Sequence, residues 1–382
     1  MNYNQEMRRK GMYRKFYRKA LCAAVSALIL LSCFSGCSPL KENESTTPTT
    51  TAGTTAAVTE NTTVPTTAPV DLAGRNPLTG LAAPSLTQVY RRPLAIMISN
   101  AGKARPQWGL SKPDVVFEGL IEGGETRMMG LFSDWESLPQ IGPLRSTRHD
   151  FVELAQGFDA VLIHCGGSDI AYNYIKENNL KTLDGTKYDG KYFLRDQQRR
   201  TERGLEHSMY TTSELALKGI KGLGMTEEIQ SSYQYPLTFA PEDAPQILSD
   251  GKCNQMNMSY SGVSNGKFVY QPEKKKYVKS WGDKVMTDGT TGEDIAYTNV
   301  ILLYATVNTL NDYDKHMEME LTSGEGIYIS NGTYTKIRWE KGNGTQQLQL
   351  LDAQGTGKLT LNAGNTYIGI VPKERASKTV IS

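Results

Sequence analysis

Apolar residues along the chain fall into two rhythms. At residues 94–98 (LAIMI), 114–120 (DVVFEGL), 128–132 (MMGLF) and 158–165 (FDAVLIHC) they form short, nearly unbroken runs rich in β-formers. Runs of that kind predict strands covered on both faces. Helical spacing instead marks HDFVELAQ from His149, IAYNYIKENN from Ile170 and the segment opening at Ser213. Beyond residue 233 the pattern changes. Runs such as KFVYQ, YTNVILLYATV, EMELTS, GIYIS, TKIRWEK, LQLLD and TYIGIVP are separated by glycines and by Asn-Gly turns, Asn331-Gly332 among them. This spacing predicts antiparallel hairpins. The class expected is α+β, with a mixed α/β domain over residues 76–230 and a β-rich domain over 231–382.

The first 75 residues follow neither rhythm. Residues 1–19 carry seven basic side chains, residues 20–34 are apolar but short for a membrane span, and Phe34-Ser35-Gly36 precede Cys37. A basic start followed by a short apolar run is a secretory signal, and the small residues before Cys37 look like a bacterial lipobox. On that reading residues 1–36 are removed and Cys37 is lipidated. Cys33 is a poorer second candidate, and an ordinary cleaved signal or an uncleaved anchor are the alternatives. Residues 37–75 are dominated by Thr, Ala and Pro, which bury too little surface to offset the entropy of ordering, so they read as a tether. The expected location is the outer face of the cytoplasmic membrane, held there by lipid.

Removing residues 1–36 changes the charge balance. The whole chain has 42 basic and 40 acidic side chains; without the signal 35 face 39. A mildly acidic remainder excludes nucleic-acid binding through a general basic surface. Of the five cysteines only Cys165 and Cys253 lie beyond residue 37, so one disulfide is possible and a disulfide framework is not.

Polar chemistry concentrates at residues 141–169. There the run 158–165 stops at Gly166 and Gly167, and Ser168 or Asp169 can cap the helix that follows. Upstream, Ser146 or Thr147 can cap a second helix between Arg145 and Arg148. Two helix starts and two guanidinium groups favour a bound anion. Structural turn chemistry is the alternative. Arg195 and His207, in a later basic stretch, can close over the same place.

Catalytic patterns are weaker. Ser168 and His164 lack the G-x-S-x-G context of a serine hydrolase. His149, His164, His207 and Cys165 lack zinc-site spacing, and no motif calls for a metal or cofactor. Glu118 and Glu122 would point to one side of a strand, as a pair acting on a glycan would need. Glu325, Asp352 and Trp339 suit glycan binding no better than ordinary turns and a buried indole.

The segments RPQWGLSKPDVVFEGLIEGGETR, IGPLRSTRHDFVELAQGFDAVLIHCGGS and YFLRD with EHSMYTT, joined to SNGTYTKIRWEKG and GKLTLNAGNTYIGIVP, resemble the YerB-like lipoproteins, a two-domain family of Gram-positive bacteria without an assigned activity. The resemblance spans nearly all of the chain beyond the tether. It implies a lipid-anchored extracytoplasmic protein with a polar cleft whose motif positions are Arg105, Glu118, Glu122, Arg127, Arg145, Ser146, Arg148, His164, Gly166, Gly167, Ser168, Arg195 and His207. Ser208 stands where the family commonly has Asn. Two functions follow as expectations. One is a module that binds an anionic wall polymer or a protein partner's acidic loop, with Arg145, Arg148 and Arg195 supplying charge. The other is an envelope hydrolase with Glu122 or His164 as base.

Overall fold

In the computed structural model, residues 74–382 are described, apart from residue 231. The signal, Cys37 and the tether lie outside the described residues. All three expected helices form, as His149–Gly157, Asp169–Glu177 and Ser213–Gly222, and all four early runs contain strands. The last of those runs is shorter than expected, Val161–His164. Phe158 closes the preceding helix and Asp159 turns the backbone into the left-handed region at φ 48°.

The two halves of the sequence share one 11-stranded sheet. At its centre Thr126–Phe132 runs antiparallel to Val115–Leu120 on one side and to Leu94–Ser99 on the other. Outward from Leu94–Ser99 lie Val161–His164 and Leu183–Asp184, each parallel to its neighbour. From the other side, Val115–Leu120 pairs in parallel with Thr366–Pro372, and that strand in parallel with Asn299–Ala305. Only then do antiparallel hairpins begin, with Ser323–Ser330 and Thr333–Glu340. The C-terminal half thus mixes hairpins with a parallel pair, and the sheet continues without a break across the boundary expected near residue 230.

Alternate residues of the central strands serve opposite faces. Ala95, Met97, Phe117, Met129, Ile301 and Ile368 pack with Phe151, Val152, Leu154 and Ala171 of two helices. Ile96, Ile98, Val116, Met128, Leu302 and Tyr367 face Met256, Phe268, Tyr277 and Tyr297 of a second, 6-stranded sheet. Both faces being covered explains why the central runs are apolar throughout.

Glu118 is the exception on the second face. It is fully buried and 3.1 Å from the equally buried Nζ of Lys279, on the strand Lys276–Trp281. Tyr367 and Thr126 donate hydroxyl hydrogens to the carboxylate at 2.8 and 2.7 Å, and Asn100 donates its amide at 3.0 Å. Tyr260 meets the Tyr367 hydroxyl at 2.7 Å, and Lys279 lies over the rings of Phe268 and Tyr367. Burial pulls the Lys279 pKa down while Glu118 works the other way. Every acceptor site of the carboxylate is used, the condition under which a buried ion pair is tolerable.

A second joint is made by Asp288. Its carboxylate accepts from the backbone N–H groups of Gly109 and Ser111 at 3.0 and 2.8 Å, and from Thr290 in its own turn. The halves are joined by satisfied polar contacts as well as by the sheet.

Candidate functional site

Seven strands of the large sheet point the same way, so their carboxyl ends share one edge. Ligands of open α/β sheets bind at such edges. Three loops and the start of one strand meet there. The segment after Ser99 carries Arg105, the turn after Leu120 carries Glu122, and Arg127 pairs with Ser99 across the ladder. The stretch holding Arg145, Ser146 and Arg148 runs alongside: the Arg145 N–H donates to Met97 O at 3.1 Å, and the Cys165 N–H to Arg145 O at 3.0 Å.

Within this edge the arginines divide into two kinds. Arg145 donates to Glu206 at 2.6 Å, and Arg148 grips Glu122 with two bonds of 2.6 and 2.8 Å. Arg195 donates to Asp189 at 2.7 Å and to Leu205 O at 2.8 Å. These three, expected to offer free charge, are each spent on a carboxylate. Arg105 and Arg127 are not: among the described residues neither makes an ion pair. Arg105 donates Nη2 to Asn100 O at 2.6 Å and lies 3.7 Å above the Trp281 ring. Arg127, 6 % exposed, donates Nη1 to Ser146 O at 2.8 Å.

The charges nearby sharpen the difference. Burial, then the Arg148 and Arg145 charges, pull the Arg127 pKa down, and Glu122 and Glu125 oppose them. Burial likewise lowers that of Arg105 against Glu118 and Glu125. Guanidinium remains a cation at neutral pH through shifts of this kind. Two partly desolvated cations therefore sit near the end of one central strand without a counter-ion of their own among the described residues. His207 lies close to Arg145; burial and then that charge lower its pKa, and its Nδ1 has no partner.

Several expected residues have structural work instead. The His164 ring is sealed in the core, its nitrogens 2.7 Å from Gly166 O and 2.9 Å from Thr182 Oγ1. Burial lowers its pKa. Gly166, at φ 81°, gives its N–H to Asp184, and the Ser168 N–H goes to Thr147 O. Gly167 pairs with Thr147 in an isolated bridge. Ser168 Oγ caps its helix by accepting from Ala171 N at 3.2 Å. Neither Ser146 nor Thr147 caps the helix after Arg148; Ser146 Oγ donates to Cys165 O at 3.1 Å. The diglycine turn thus has no N–H from Gly166 or Ser168 left for an anion.

Glu118 and Glu122 do not form a pair, because the strand ends at Leu120 and Glu122 lies in the turn beyond it. Burial works to raise the Glu122 pKa, but the Arg148 hydrogen bonds and charge outweigh it, so the group ends below its usual value. A low pKa and a two-point clamp are poor attributes for a general base. The His164 ring is closed to substrate. Glu325 and Asp352 lie apart on the C-terminal hairpins, and the Trp339 indole is buried and donates to Glu325 O at 3.1 Å.

Sequence reasoning missed Lys279, Tyr260 and Tyr367, which hold Glu118, and Trp281, which backs Arg105. The one available signal was Lys279 following Tyr277 on the inward side of KYVKSW, where an apolar residue is usual. Among the described residues Cys165 and Cys253 are free thiols.

Two family models match the chain in succession: the N-terminal domain of a protein of unknown function, DUF3048, over residues 78–226, and the C-terminal domain of the same family over residues 256–368. The chain belongs to the DUF3048 family. YerB of Bacillus subtilis strain 168, a protein named as a lipoprotein, is 29 % identical over 299 residues, which span 78 % of this chain and 86 % of YerB. A crystal structure of Bacillus subtilis YerB superposes with a TM-score of 0.69 at 28 % identity, covering 80 % of this chain and 98 % of that one. The resemblance to YerB-like lipoproteins read from the motifs is therefore correct, and so is the α+β class.

Proposed function

We propose that this protein is anchored outside the cytoplasmic membrane by lipid on Cys37, and that it binds an anionic polymer of the cell wall at the carboxyl edge of its large sheet. Arg105 and Arg127 are the receiving groups. The observation that carries the reading is their lack of a carboxylate partner among the described residues, beside three arginines that each have one. A desolvated guanidinium without a counter-ion gains more from an incoming anion than an exposed or paired one does. Arg145, Arg148, Ser146 and His207 shape the surroundings, and the Arg148–Glu122 pair limits the net charge. The lipid and tether would hold this edge within reach of the wall, in keeping with the naming of YerB as a lipoprotein.

Cosedimentation of the full-length protein with purified wall tests the reading. Walls retaining their anionic polymer should hold the native protein and release the Arg105→Ala/Arg127→Ala variant, while Arg195→Ala stays bound. Equal retention of the double variant, or equal retention on walls stripped of the polymer, would overturn it. Binding to an acidic protein loop in place of wall would do the same.

A further inference from the structure

Beside Arg105 lies a cavity of about 340 Å³ between the loop after Ser99 and the hairpin after Trp281. Its walls are Pro106, Trp281, Val285 and Met286, with Arg105 and Gln107 as polar groups beside the exposed Lys284 and Thr287. Arg105 is held in one pose: Asn100 takes Nε and Nη2, Asn100 is in turn fixed by Glu118 and Thr126, and the Trp281 ring supports the guanidinium plane. Among the described residues Nη1 has no acceptor.

Gln107 is oriented as firmly. Its Nε2 donates to Ser99 O and to Asn100 Oδ1, both at 3.1 Å, so flipping the amide would set its oxygen against two acceptors. Among the described residues the Oε1 is left as a buried acceptor without a donor. A group in that state costs stability until a donor reaches it. The cavity thus offers a planar cation with an exposed lysine beside it, one unused acceptor and an apolar wall, at a size near the lower end for small-molecule sites.

We infer that this cavity takes the free C-terminal carboxylate of a short peptide bearing small aliphatic side chains. The carboxylate meets Arg105 Nη1, the last peptide N–H is offered to Gln107 Oε1, and a methyl-sized side chain lies against Trp281, Val285 and Met286. A phosphate suits the place less well, since only Nη1 of the Arg105 guanidinium is unengaged and the second cation in the lining, Lys284, is exposed to solvent. The inference rests on the reading of Arg105 as an unpaired anion receptor, and adds a ligand class that the wall-polymer reading lacks.

Isothermal titration of the full-length protein with N-acetyl-Ala-Ala tests it, using the free acid and the C-terminal amide in L,L and D,D forms. The acid should bind about tenfold or more tightly than the amide. Whichever form binds tells a protein terminus from a D-amino-acid wall stem. Arg105→Ala should remove the preference for the acid. Val285→Trp, at a position 42 % exposed and so tolerant of size, should block the cavity with Arg105 intact. Equal heats for acid and amide, or unaltered binding in Val285→Trp, would overturn the inference. If Arg105→Ala/Arg127→Ala still loses the wall under that result, the wall-polymer reading stands and this one alone falls.

Discussion

Replacing Lys279 by Met strands Glu118 inside the protein. Both side chains are fully buried and 3.1 Å apart, so the ammonium is the only cation within ion-pair distance of the carboxylate among the described residues. Three neutral donors remain after the substitution, from Tyr367, Thr126 and Asn100. They solvate the charge in part but cannot neutralise it. Removing one member of a buried pair costs about 3–5 kcal/mol, a large share of the roughly 5–15 kcal/mol that holds a domain together. With a urea m-value of about 3 kcal/mol/M, the unfolding midpoint should fall by about 1–1.7 M. Removing both charges is different. In Glu118→Gln/Lys279→Met the amide oxygen still accepts from Thr126 and Asn100, its nitrogen can donate to Tyr367, and replacing a buried pair by neutral groups is often near neutral. The double variant should therefore recover at least about 2 kcal/mol relative to Lys279→Met alone, and a double-mutant cycle that includes Glu118→Gln gives the coupling energy. Urea titrations of the four proteins at pH 7 supply the measurement. A double variant as unstable as the single one would show that packing around Lys279, and not its charge, joins the two halves.

Other positions give further expectations. Burial raises the Asp150 pKa well above its usual value, Glu153 and Glu318 add to this, and the Met319 N–H opposes it. The native state then binds more protons than the unfolded one between the two pKa values, so stability falls as pH rises through that window. Asp150→Asn keeps an acceptor for Met319 and removes the fall; its melting temperature should exceed the native one by about 2 °C or more at pH 7 and match it near pH 4, and equal curves at both pH values would contradict this. Glu122→Gln releases Arg148 from its two-bond clamp, so retention on polymer-bearing wall should rise several-fold, whereas a drop would mean that the pair itself is recognised. Because Cys165 and Cys253 are free, a reducing agent should leave the melting temperature unchanged; a fall of several degrees would reveal a stabilising disulfide.

Local structure was legible where the signal is local. The runs at 94–98, 114–120 and 128–132 and the helices after Arg148, Ser168 and Thr212 follow from residue type and spacing. So does a cap at Ser168 or Asp169, of which the structure uses Ser168. The shared sheet was not legible, because parallel pairing of Val115–Leu120 with Thr366–Pro372 joins residues some 250 positions apart and leaves no turn between them. The site was half legible for a similar reason. Sequence shows that Arg145, Arg148 and Arg195 exist; that Glu206, Glu122 and Asp189 neutralise them is a property of the fold. By the same logic Arg105 and Arg127 looked no different from their neighbours until the carboxylates were assigned elsewhere. Lys279 was missed because a lysine on a half-buried strand ordinarily faces water.

The claim that two arginines at one sheet edge receive an anion is tested most directly by side-chain 15N NMR of the full-length protein titrated with solubilised anionic wall polymer. The Arg105 and Arg127 guanidinium resonances should move together and saturate with the polymer, while that of Arg195 stays fixed. Saturable binding with both resonances unmoved, or with Arg195 shifting in their place, would contradict the account.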